Sequence, residues 1–165
     1  MKYIIYAFTL YFSILGTSVK GQMLSTSNEA SQTTSRSRIA SGPSVYGVFA
    51  GRTPCQEFMR EVKLATIPEC IKRKMGVTLY QDPVTHEPTT YETYGMDQRT
   101  GKGKWHIIKG RPGDPQATVF KLDLDADNFL FLLKGDDNVL FILDRNKHFL
   151  VGNASFSYTF NRVRN

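Results

Sequence analysis

From Val45 onward the chain keeps switching between short runs of apolar and polar alternation and clusters of turn-forming residues. In TVFKLDLD, Phe120, Leu122 and Leu124 alternate with Lys121, Asp123 and Asp125. A repeat of two puts every apolar side chain on one face of a strand, whereas a helix would scatter them. Met75, Val77 and Leu79 repeat the pattern in MGVTLYQ, and Phe156, Tyr158 and Phe160 repeat it in SFSYTFN. Val45–Phe49 is a further apolar segment. Phe129–Leu133 and Val139–Leu143 are continuous apolar runs, too short for helices, and KGDDN between them makes a hairpin. Turn formers recur at DPVTHEP, DQRTGKG, GRPGDP, DADN and DRNK. Every connection is short enough for a hairpin, so the pattern predicts an all-β fold, a small antiparallel up-and-down barrel of about eight strands. One short helix is expected within Cys55–Leu64, where Phe58, Val62 and Leu64 share a face. Trp105, Phe120, Phe156 and Phe160 are expected to fill the barrel.

The start of the chain reads as an export signal. Lys2 precedes an apolar run from Tyr3 to Leu15, and small residues lead to Gly21. That run is short for a membrane span, so residues 1–21 are expected to be a cleaved signal peptide. Residues 22–44 are rich in Ser and Thr and nearly free of large apolar side chains, which predicts a disordered linker. The barrel domain is expected over 45–165. The mature chain is expected to be periplasmic or secreted, with no stable membrane insertion once the signal is gone.

The net charge is +6, or +4 without Lys2 and Lys20. The cations are scattered through Lys72–Lys74, Lys102–Lys109 and Arg162–Arg164. That dispersion fits solvated strand faces and argues against nucleic-acid binding, which uses a concentrated basic stripe. No nucleophile motif, metalloprotease helix or phosphate-binding glycine loop occurs, so no enzyme is expected. His86, His106 and His148 lack a second ligand at metal-binding spacing, and the methionines are dispersed. Asp123, Asp125 and Asp127 lack the glycine and closing glutamate of a calcium loop and read as a wet strand face. No metal or other cofactor is expected. Asn153-Ala154-Ser155 is a formal glycosylation sequon.

The chain has two cysteines, Cys55 and Cys70. In an exported chain a disulfide is the simplest reading, contributing about 3 kcal/mol in the chain-entropy model. A redox or metal-binding pair is the alternative, although a redox pair is normally Cys-x-x-Cys and Phe58 stands at the fourth position here.

Around the first cysteine, GVFAGRTPC places Gly47, Phe49, Gly51, Pro54 and Cys55 in the order of the opening motif of the NlpE family. That family comprises copper-resistance and envelope-stress lipoproteins. Later stretches agree with it: LYQDP, PTTYETYG, GKW around Gly103 and Trp105, NVLFILD, and the closing FSYTFNRV. The resemblance spans Val45 to Val163 and points to an exported branch of the Bacteroidetes type. It implies a lipocalin-like barrel acting as an envelope accessory or as a stress- or copper-sensing module, with an envelope protein as partner. Phe58 replaces the second cysteine of the family's CxxC, and no cysteine follows the apolar start to carry a lipid. Only Cys55 therefore carries over, and Met59 and His106 are single donors. The alternative reading is a lipocalin-type carrier of a small apolar ligand, which a barrel with an open interior would favour.

Overall fold

The chain was analysed as a computed structural model that describes residues 39–96 and 101–164. The expected signal peptide and the linker up to residue 38 lie outside the described residues. Among these residues eight antiparallel strands close into a barrel in sequence order. They are β1 (Val45–Pro54), β2 (Lys72–Gln81), β3 (Pro88–Tyr94), β4 (Lys102–Arg111), β5 (Asp114–Asp125), β6 (Asn128–Lys134), β7 (Val139–Leu143) and β8 (Thr159–Arg162). Each strand pairs with its chain neighbours, and β1 closes on β8 through Phe49↔Arg162 and Ala50↔Asn161. The all-β up-and-down barrel read from the alternation is the fold.

The period of two fills the interior. On β5, Phe120, Leu122 and Leu124 point inward, with Leu130 and Leu132 from β6, and Leu140 and Ile142 from β7. Met75, Val77 and Leu79 enter from β2, Tyr91 from β3 and Trp105 from β4. The β1–β8 seam needs a glycine. A Cβ on Gly51 would sit inside contact distance of the Thr159 carbonyl oxygen, so a larger residue would push the last strand away.

The short helix α1 (Cys55–Glu61) follows β1 directly. Pro54, with φ −53°, ends the ladder without an amide to leave unpaired and opens the helix. The apolar positions Phe58 and Val62 belong to the barrel core, so the helix and its next residue stopper one end. The carbonyls at its end are satisfied from β6 and from the loop after β7. Asn128 Nδ2 donates to Val62 O at 2.7 Å, and Arg145 Nη2 donates to Glu61 O at 3.0 Å. Arg145 Nη2 also reaches Asn128 Oδ1 at 2.7 Å, which ties the two anchors together.

Three expectations change in detail. The helix stops at Glu61, short of Leu64. Phe156 is half-buried and outside the core, because Asn153 Oδ1 accepts the Ser155 and Phe156 amides, each at 2.9 Å. That turn delays β8 to Thr159, and Lys72 Nζ lies 5.6 Å from the Phe156 ring. Pro43 and Ser44, assigned to the linker, are tied to β2, where their carbonyls accept from Gln81 Nε2 at 3.1 Å and Gln81 N at 2.9 Å.

A second apolar cluster lies on the outer wall, where the strand pattern alone leaves side chains wet. Ala117, Val119, Phe131 and Leu143 are buried there, with Ile108, Phe129 and Leu133 packed against them. The hairpin of β4 and β5 has a register shift between Lys109 and Arg111, and Gly110 adopts φ +85° there. Beyond it, Lys147 Nζ donates to Gly110 O at 2.9 Å, and the Arg111 guanidinium stacks 4.4 Å from the Phe149 ring centroid. The hairpin tip and the loop after β7 are therefore joined.

Candidate functional site

The family-like motif runs along β1 into α1. Phe49 is buried in the barrel, and the Arg162 guanidinium lies 4.6 Å from its ring centroid. A Cβ on Gly47 would meet that guanidinium and the Phe49 ring, so Gly47 makes room for both. Gly51 admits β8, and Pro54 turns the chain into the helix. Four of the five motif residues thus shape the barrel, and Cys55 alone brings reactive chemistry.

Cys55 is bonded to Cys70, with Cα atoms 5.7 Å apart. The disulfide ties the start of α1 to the loop preceding β2, and Gln56 Nε2 donates to Pro68 O at 2.9 Å alongside it. Cys55 Sγ lies 3.4 Å from Met59 Sδ, so three sulfurs gather at the stoppered end of the barrel. Arg73 Nη1 approaches Met59 Sδ at 3.7 Å, and Arg73 also donates to the carbonyls of Gly95 and Met96. Bonded sulfurs offer no thiolate, and a guanidinium on the thioether opposes a metal cation there. Among the described residues no three His, Cys, Asp or Glu side chains converge as ligands.

Opposite the disulfide, Tyr158 reaches α1 from the approach to β8. Its hydroxyl donates to Glu57 Oε2 at 2.6 Å. That bond holds the Glu57 carboxyl below its ordinary value. Burial, with the Glu57 contact second, raises the Tyr158 hydroxyl well above its usual range. The pair is a neutral phenol bonded to a carboxylate, suited to holding the helix and unsuited to proton transfer near neutral pH.

At the other end of the barrel, Tyr46 packs over Trp105 and Phe120, with ring centroids 5.3 and 5.4 Å away. Trp105 and Phe120 are themselves 5.0 Å apart, edge to face, and Trp105 Nε1 donates to Tyr80 O at 2.6 Å. Arg162 donates to the Tyr46 and Asp137 carbonyls, and Lys134 pairs with Asp137 at 2.8 Å. Aromatic rings and two tethered cations thus occupy the mouth. An open depression of about 380 Å³ lies on the wall, lined by Thr90, Tyr91, Glu92, Lys102, Gly103 and Lys104. It belongs to the surface of β3 and β4 and not to the barrel interior. Tyr91 is inward from it, its hydroxyl donating to Asp123 O at 2.8 Å and pushed up to about 12 by burial.

The histidines stay apart in roles. His86 and His148 occupy turns, the latter beside Asp144 at 3.5 Å. His106, outward on β4, meets Asp123 Oδ2 at 2.9 Å. Burial raises the Asp123 carboxyl, but the hydrogen bonds and charges of Lys121 and His106 outweigh that and leave it below its usual value. Asp123 is therefore the counter-ion of an exposed strand face, as its alternation with Leu122 and Leu124 implied.

Sequence reading did not find the outer-wall cluster with its covering cations. Lys121 Nζ and the Arg145 guanidinium lie 5.2 and 5.7 Å from the Phe129 ring, as Arg111 does over Phe149. The signal was present in Phe129–Leu133, whose apolar residues leave neither strand face polar. No family model, curated protein or solved structure matches the chain, so its activity has to be argued from these residues.

Proposed function

We propose that this chain is an exported, non-enzymatic β-barrel module of the NlpE-like kind, an envelope accessory or stress-sensing domain that works through its surface. The observation that carries this reading is the filled interior. Phe49, Tyr91, Trp105, Phe120 and Phe160 occupy the barrel, α1 stoppers one end and Tyr46 covers the aromatic cluster at the other. A carrier needs an internal volume for its cargo, and these side chains take that volume. The filled interior favours the interaction module over the carrier of a small apolar ligand. The Glu57–Tyr158 contact supports it over an enzyme at that end of the barrel, since the phenol is held neutral and the carboxylate is engaged by it.

Copper handling, which the resemblance implies, is expected to be absent from the oxidised chain. Phe58 removes the adjacent thiolate, the disulfide occupies Cys55, and Arg73 stands against Met59. Competition with a chromogenic Cu(I) chelator should give no submicromolar binding by oxidised protein; such binding would return copper to the leading role. The module reading is tested by native mass spectrometry of protein recovered from the exported fraction, together with an envelope-stress reporter in the producing cell. The expected result is a bare protein mass and a reporter that responds to the chain. A stoichiometric small molecule riding with the protein, and a silent reporter, would replace the module with the carrier.

A further inference from the structure

We draw no further inference here: the strongest candidate, the edge of β4 over Ile107–Lys109 that runs past its last described pairing with β3 at Lys104, carries nothing, because nothing in the structure shows what covers it.

Discussion

The strands β5, β6 and β7 carry apolar side chains on both faces, and the two faces are closed by different means. Inside, Phe120, Leu122, Leu130 and Leu132 meet side chains from the far wall and are shut in by the barrel itself. Outside, Val119, Phe131 and Leu143 are equally apolar, but among the described residues no second layer of sheet or helix covers them. Their cover is made of Ile108, Leu133 and Phe129, with the Lys121 and Arg145 side chains laid over the last ring. Long cationic side chains can shield apolar surface while their heads stay wet. The inner cluster is thus an obligatory product of closure, while the outer one depends on a few side chains arranged from three strands and the loop after β7.

The largest effect that separates the two faces is expected inside. Phe120→Ala removes a ring that is 1% exposed and packed against Tyr46 and Trp105 within the inner cluster. It should cost about 3–5 kcal/mol, read as a fall in the urea midpoint at unchanged slope. An unchanged midpoint would mean that the inner cluster is no more essential than the outer.

Next comes the covalent tie at the stoppered end. Cys55→Ser with Cys70→Ser should cost about 3 kcal/mol through the entropy regained by the unfolded chain. The barrel spectrum should survive at low temperature, because α1 is also held by Tyr158, Asn128 and Arg145. Loss of the β-sheet signal in the folded variant would show that the stopper needs the disulfide to seat the helix.

The matching substitution outside is Phe131→Ala. It should cost less than Phe120→Ala, about 1.5–3 kcal/mol, because water can enter the site and the cavity penalty is largely absent. Equal costs at Phe120 and Phe131 would abolish the distinction between the faces and mark the outer cluster as a closed core.

The two faces also differed in how far they could be read in the sequence. The alternation Phe120, Leu122, Leu124 assigns one face of β5 to the interior from local residues alone. For β6 and β7 the continuous runs reveal that both faces are apolar, but not what covers the outer one. The cover comes from Lys121, Arg145 and a hairpin bent at Gly110, which meet only in three dimensions. Phe156 went astray for a related reason. Its alternation with Tyr158 is genuine, but Asn153 captures the Ser155 and Phe156 amides and breaks the strand before it starts. The cysteine pairing was legible because two cysteines admit one intramolecular bond. The roles of Gly47 and Gly51 were not, since the groups that crowd them, Arg162 and the Thr159 carbonyl, come from the last strand.

The smallest expected effect concerns pH at the stoppered end, where a polar tie replaces apolar contact. The Glu57 carboxyl is lowered by the Tyr158 hydroxyl, so its contribution is present above the unfolded value of 4.5 and is lost as pH falls through the lower folded value. Tyr158 is raised by burial and by Glu57, so its contribution is present below 10 and is lost as pH rises toward the folded value. Tyr158→Phe should leave the apolar contact, remove the hydroxyl, and flatten both limbs of the stability profile. The acid-side change should be small, because the Glu57 side chain is half exposed and solvent screens it. The alkaline limb should persist in part, because Tyr91, pushed up to about 12, still resists ionisation in the folded chain. Urea midpoints measured from acid to alkaline pH on both proteins compare the limbs directly. Parallel profiles would show that the Tyr158 hydroxyl contributes nothing to holding α1, leaving the disulfide, Asn128 and Arg145 as the ties that distinguish this end from the aromatic mouth.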